Sequence, residues 1–326
     1  MNRYLLRILK FYLVVGALCA CGYAALLLGG YFDEAPMVGY IRQDAAGGAF
    51  PEQIAGQLGD DLVLNVVSVS GDPLEQARTL LEQSALALVL DMAQAPEDPA
   101  AFSSLAAEYQ IPMIWLGKYP GRAALEYENC WYVGSDPAQA GELLGQEAAM
   151  LFRDGTAADQ NGDLLLQYVW AGNTGFSGSA TLKKYILDEC EHYGVYTADA
   201  GSLSAGMQDL AEQAALELAE PAAQPEILFF SDPQALEAME LARPSLAWWG
   251  EGALLPVLTT AGSETEAAEL IESGRALAVA WYDGAEASRL TAAMLQNAAT
   301  LSFVGQGQDI QPDGQTFAIP YQLMTA

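Results

Sequence analysis

The chain has little with which to do covalent chemistry. Among 326 residues there are four cysteines and a single histidine, His192. Cys19 and Cys21 fall in an apolar N-terminal stretch, which leaves Cys130 and Cys190 for the body, with no Cys-x-x-Cys pair. A zinc site needs several closely spaced Cys or His ligands, and a disulfide framework needs a dense, even set, so neither is expected. The two body cysteines read as small buried hydrophobes. Basic residues are also scarce: 13 Lys and Arg stand against 42 Asp and Glu, a formal net charge of -29. Such a surface repels a phosphate backbone, which excludes a nucleic-acid binder, and it is unsuited to lying on an anionic lipid face. The acids read as a solvated surface. There is no Gly-x-Ser-x-Gly, no P-loop and no His-Glu-x-x-His, and one histidine cannot serve a nucleophile and its base. Carboxylate pairs are inevitable among so many acids and say nothing for a glycosidase. An enzyme is not expected.

What is present starts with a long apolar run. Arg3, Arg7 and Lys10 precede an uncharged stretch from Phe11 to Phe32, and Asp33 and Glu34 follow it. Roughly 22 residues suffice to cross a hydrocarbon core as a helix. The positive flank would keep the N-terminus inside and the body outside. Residues 1–35 are read first as an uncleaved transmembrane anchor. A lipoprotein start at Cys21, where Leu18-Cys19-Ala20-Cys21 loosely follows a lipobox, stays open, as does a cleaved secretion signal.

Beyond this segment, apolar runs alternate with helix-period stretches. Met37–Ile41, Leu62–Val69, Ala85–Leu90, Ile111–Leu116, Trp131–Val133, Leu164–Trp170, Glu226–Phe230, Leu254–Leu258 and Leu277–Trp281 read as strands. Their near-continuous apolarity marks strands covered on both faces. "GDPLEQARTLLEQS" signals a helix, with Asp72 to cap, Pro73 at the first position, and Leu74, Ala77 and Leu81 on one face. "SDPAQAGELLGQEAAMLF" and "SDPQALEAMELA" repeat the Ser-Asp-Pro start. Repeated β-α units imply open parallel sheets, which take ligands beyond the carboxyl ends of their strands.

The stretch "IPMIWLGKYPGRAALEYENCWYVGSDPAQAG" resembles the galactose/glucose-binding proteins of bacterial ABC importers, type I periplasmic binding proteins. "DQNGDLLLQYVWAGNTG", "KKYILDECEHYGV", "SGRALAVAWYDGAEAS" and "FAIPYQLM" resemble, in the same order, that family's calcium loop and strand, its next helix, its hinge crossover and its last strand. The resemblance implies an α/β fold of two doubly wound parallel-sheet lobes joined by three crossovers. Lobe 1 would take 36–136 and 283–316, and lobe 2 would take 137–282 and 317–326. It implies an extracytoplasmic solute-binding protein of the bacterial cell envelope that grips a sugar or sugar-like small molecule and presents it to an ABC permease. The alternative is a degenerate relative serving as a sensory or protein-interaction subunit.

By the same resemblance, Asp159, Asn161, Asp163, the carbonyl of Leu165, Gln167 and the distant Glu226 would bind a structural Ca2+. Calcium takes six to eight hard oxygen ligands, and alternate positions of a tight turn can supply them. Position six of the loop, commonly glycine, is Leu164. An Asx-rich turn needing no ion is the competing reading. In the cleft the pattern departs from the family. Gly48 stands at a sugar-binding Asp, Gly117 at an Asn, and Phe176, Gly178 and Leu182 at His, Asp and Arg positions; Asp232 and Tyr282 each replace an Asn. Each buried hydrogen bond left unmade costs on the order of 1–3 kcal/mol. Galactose bound in the usual way is therefore not expected. The expected lining is a glycine-widened wall with Phe50, Trp115, Phe176, Asp232, Trp281 and Tyr282, with core packing as the other reading of the aromatics.

Overall fold

The structure, a computed structural model, describes residues 35–326 except 44–49, 93–97, 118, 177 and 251–254. Of residues 1–34 it describes only Tyr12, Val15, Gly16, Cys19 and Cys21, so the expected anchor lies otherwise outside the described residues. Among the described residues no helix is long and apolar enough to cross a membrane.

In the first lobe the chain runs β1 (Met37–Arg42), α1 (Phe50–Leu58), β2 (Val63–Ser68), α2 (Pro73–Glu82), β3 (Ala87–Asp91), α3 (Pro99–Tyr109), β4 (Met113–Leu116) and β5 (Cys130–Ser135). It then enters the second lobe through α4 (Pro137–Asp154), β6 (Leu166–Asn173), α5 (Ser179–His192), β7 (Thr197–Ala205), α6 (Met207–Glu217), β8 (Ile227–Phe230), α7 (Pro233–Ala242), β9 (Val257–Ala261), α8 (Glu264–Glu272) and β10 (Ala278–Tyr282). Helix α9 (Gly284–Ala299) and β11 (Thr316–Ile319) return to the first lobe, and β12 (Tyr321–Thr325) ends in the second.

The Asp-Pro starts behave as capping chemistry requires. Asp72 accepts from the Leu74 N–H at 2.9 Å, Asp136 from Ala138 at 2.9 Å, and Asp232 from Ala235 at 2.8 Å. In each case the following proline, which has no N–H to lose, opens the helix. Helices α4 and α5 pack closely because Gly141 and Gly145 face backbone: a side chain at Gly145 would come within 2.6 Å of the Ile186 carbonyl.

Each lobe holds one six-stranded sheet, ordered β11-β5-β4-β3-β1-β2 and β12-β10-β9-β8-β6-β7. All pairings within them are parallel except that of β12 with β10. Two α/β lobes with parallel sheets are thus present. Strands β4, β5, β6 and β8 are buried along their whole length. Edge strand β7, which the apolar-run reading missed, alternates between buried and open positions and carries Asp199, Ser202 and Ser204. "FAIPYQLM" is two strands rather than one: Pro320 separates β11 from β12, so the last crossover falls there and not between 316 and 317. Proline cannot continue a ladder, and here it lets the chain change sheets. Tyr321 is pinned just beyond, its N–H donating to Gln139 Oε1 at 2.8 Å.

Candidate functional site: the cleft and the acidic loop

Both sheets reverse their winding at one place, between β1 and β3 in the first lobe and between β6 and β8 in the second. Such reversals leave a crevice beyond the carboxyl ends of the strands. A cavity of about 680 Å³ lies between the lobes there, within the ordinary range for small-molecule sites.

Of the six residues expected to line it, three do. Phe50 comes from the start of α1, Phe176 from the loop after β6, and Tyr282 from the end of β10. Phe50 also lies over the crossover, since a side chain at Gly284 would meet its ring at 3.4 Å. Tyr282 stands edge-on to Tyr321 with ring centroids 5.6 Å apart. Burial, and then the charge of Asp91, push its hydroxyl up to about 12.

Trp115, Asp232 and Trp281 do not line the cavity, Trp281 being buried in the core of the second lobe. Trp115 is 1% exposed and packs edge-on against Phe102 in the core of the first lobe. An apolar run gives no parity, and the parity of β4 turns this residue inward. Asp232 caps α7, and its second oxygen accepts from Ser231 Oγ at 3.0 Å. Burial raises its carboxyl above the usual range.

The glycines have separate reasons. Gly117 lines the cavity at φ +79 with open space where a side chain would be, whereas a side chain at Gly178 would overlap the ring of Pro137. Leu182 is fully buried in the second lobe's core, and Gly48 lies outside the described residues.

The sequence reading missed Asp91, Tyr119, Tyr132, Asp136, Thr181 and Asp313, all of which line the cavity. Asp91 and Asp136 had a signal: an acidic residue following an apolar parallel strand stands where such sheets bind ligands. Tyr132 donates to the Gly117 carbonyl at 2.7 Å and carries Tyr119 edge-on at 5.2 Å, which builds an aromatic wall. The site is rich in acceptors and flat apolar faces, a combination that suits a polyhydroxylated ring.

The acidic loop lies away from this cavity, ahead of β6. Asp159 gathers the turn, accepting from Gly162 N–H at 2.7 Å and Leu164 N–H at 3.0 Å. Asp163 accepts from the Leu165 N–H, from Asn161 Nδ2 and from Gln167 Nε2. Glu226, 1% exposed, reaches in from the residue before β8 and accepts from the N–H groups of Gln160 at 2.7 Å and Gln167 at 3.1 Å. Desolvation first, and then the charges of Asp159 and Asp163, raise its carboxyl. None of the three carboxylates is in an ion pair among the described residues. As they stand, no three acidic, Cys or His side chains among the described residues are grouped tightly enough to hold an ion. Leu164 adopts φ 65, the left-handed region that glycine prefers, and its side chain is 76% exposed.

Comparisons with known proteins agree with this geometry. No family model matches the chain. The D-galactose/methyl-galactoside binding periplasmic protein MglB of Haemophilus influenzae is 26% identical over 266 residues, which cover 79% of this chain and 76% of that protein. An ABC transporter solute-binding protein from Clostridium phytofermentans, solved with bound β-D-glucose, superposes with a TM-score of 0.66 at 11% identity, covering 89% of this chain and 94% of its own. A protein from Mycobacterium smegmatis in complex with β-D-fucofuranose superposes at 0.67 with 14% identity, covering 89% and 91%. The first two are named as binding proteins. The chain thus has the two-lobed fold of the type I periplasmic binding proteins and resembles in sequence the galactose-binding protein of bacterial ABC importers.

Proposed function

We propose that the protein is an extracytoplasmic solute-binding protein that captures a sugar or sugar-like small molecule between its lobes and presents it to an ABC permease. The observation that carries this reading is the cavity at the two winding reversals, walled by Phe50, Phe176 and Tyr282 and open to acceptor groups. Closure of hinged lobes on a solute would turn binding into a shape that a permease can read. A thermal-shift panel of neutral sugars and nucleosides tests it. A ligand at a hundred times its Kd stabilises the native state by about 2.7 kcal/mol, so at least one sugar is expected to raise the melting temperature. No shift with any compound would sink the reading in favour of a sensory or protein-interaction subunit.

The N-terminal apolar segment is proposed, on its sequence, to tether the body to the membrane. Full-length protein should then need detergent for extraction, and recovery in the aqueous fraction would refute the tether.

The acidic loop is proposed to hold a structural calcium ion. The donor set is all oxygen, as a hard cation requires. Carboxylates that repel one another without a basic partner also favour a cation. Asn161 and Gln167 turn their NH2 groups to Asp163, and rotating either amide presents an oxygen instead. The cation would supply charge neutralisation that fixes the loop against Glu226. Strain at Leu164 works against the site. A side chain in the left-handed region costs about 1–2 kcal/mol, while glycine adds about 0.4–1 kcal/mol of unfolded-state freedom. Leu164→Gly is therefore expected to stabilise the protein by about 0.5 kcal/mol in chelator and to tighten calcium binding. Urea unfolding with and without calcium checks both, and a destabilised variant would contradict the strain.

A further inference from the structure

We propose that Asp91, held in place by Tyr40, anchors the solute in the cleft by accepting hydrogen bonds from its hydroxyl groups, in place of the polar side chains missing at Gly48 and Gly117. The anchor presupposes the solute-binding function above, and its test is arranged so that the two can fail separately.

Asp91 is the last residue of β3 and stands beside Arg42, the last residue of β1. It therefore lies at the winding reversal of the first lobe, where such sheets receive ligands. It lines the cavity together with Phe50, Gly117 and Tyr282. One oxygen, Oδ2, accepts from the Tyr40 hydroxyl at 2.8 Å. Tyr40 has no exposed surface, so the carboxylate cannot turn away without leaving a buried phenol unpaired. The other oxygen accepts no hydrogen bond among the described residues and is left for a ligand.

The other cavity carboxylates are placed differently. Asp136 commits Oδ1 to the cap of α4, and Asp313 is exposed. Asp91 alone among the three is held by a buried side-chain donor. A fixed carboxylate makes short, charge-assisted bonds to hydroxyl donors, while Phe50 and Tyr282 offer faces to the apolar side of a ring. The groups facing Asp91 are Tyr40 and Arg42 from β1 and Tyr282 from β10, with Glu52 of α1 acting on Tyr40. Burial raises the carboxyl, and the Tyr40 hydrogen bond and the Arg42 charge draw it back. Binding should therefore fail on the acid side as Asp91 takes up a proton.

The test is calorimetric titration of the full chain with D-glucose, D-galactose, D-allose and D-ribose, from acid to neutral pH, for the wild type, Asp91→Asn and Tyr40→Phe. For the sugar that binds best, Asp91→Asn should lower affinity about tenfold or more, as expected for losing a hydrogen bond to a charged group. Tyr40→Phe should move the acid limb of binding to higher pH, because the carboxyl loses the donor that held its pKa down; a merely structural role for Tyr40 would leave that limb in place. If a sugar binds and Asp91→Asn binds it as the wild type does, or Tyr40→Phe keeps the wild-type acid limb, the anchor is overturned and the solute-binding function stands. If none of the four sugars binds the wild type, the sugar-binding reading falls and the anchor falls with it.

Discussion

Glu226→Ala is expected to destabilise the protein by about 2–3 kcal/mol and to abolish any rise of the melting temperature with calcium. The buried carboxylate accepts from the N–H groups of Gln160 and Gln167. Alanine would leave both donors unpaired, at about 1–3 kcal/mol each. Relief of the repulsion that Asp159 and Asp163 exert on Glu226 offsets part of that loss. Glu226→Gln separates the two effects: it keeps an acceptor and removes the charge, so it should cost little in chelator yet lose the calcium response. The sign with pH follows from the raised carboxyl. In the native protein without calcium, Glu226 holds its proton more tightly than in the unfolded chain, so its contribution to stability is lost as pH rises from the ordinary carboxylate range through the raised value. Stabilisation by calcium needs the ionised carboxylate, so it should grow as pH rises through the same window and fade below it. Melting curves against pH, with calcium and with chelator, read both slopes. A calcium shift in Glu226→Gln equal to that of the wild type would remove the ion from this loop.

The second large effect is expected at Gly178. This residue caps α5 and lines the cavity, and a Cβ there would overlap two ring atoms of Pro137 and come within 3.4 Å of the Phe176 ring. Pro137 follows directly on the first crossover, and its ring cannot rotate out of the way. Gly178→Ala must therefore push α5 from α4 or displace Phe176. Overpacking of this kind costs about 1–3 kcal/mol. Because the displaced atoms belong to the cavity wall, affinity for the best sugar should fall about tenfold, equivalent to about 1.4 kcal/mol. Gly117→Ala is the contrasting variant: its side chain would meet open space and pay only for φ +79. Urea unfolding and calorimetry check the pair. A Gly178→Ala protein with wild-type stability and affinity would show that the contact yields freely.

Some of this architecture could be read one residue at a time. Asp72, Asp136 and Asp232 cap helices opened by Pro73, Pro137 and Pro233 because capping and proline geometry are local, and local chemistry survives in any fold. Strands such as β4 and β6 were legible because burial on both faces demands continuous apolarity. Strand β7 escaped the same reading because an edge strand is half open and admits Asp and Ser. The junction of β11 and β12 escaped it because a proline inside an apolar run shows that pairing stops, not that the chain changes lobes.

The cleft was the least legible part. Phe50, Phe176 and Tyr282 were placed through the resemblance, while Trp115 was misplaced because periodicity does not give the face of a fully buried strand. Asp91 and Tyr40 are 51 positions apart and meet only because β1 and β3 are neighbours in the sheet. By itself, then, the sequence determined the alternation of strands and capped helices and the open parallel sheets, because these follow from local periodicity, while the division into two lobes came through the resemblance. The tertiary structure alone decided which side chains line the cleft and which carboxylates come together, because those depend on strand order and register, which bring together atoms from distant parts of the chain.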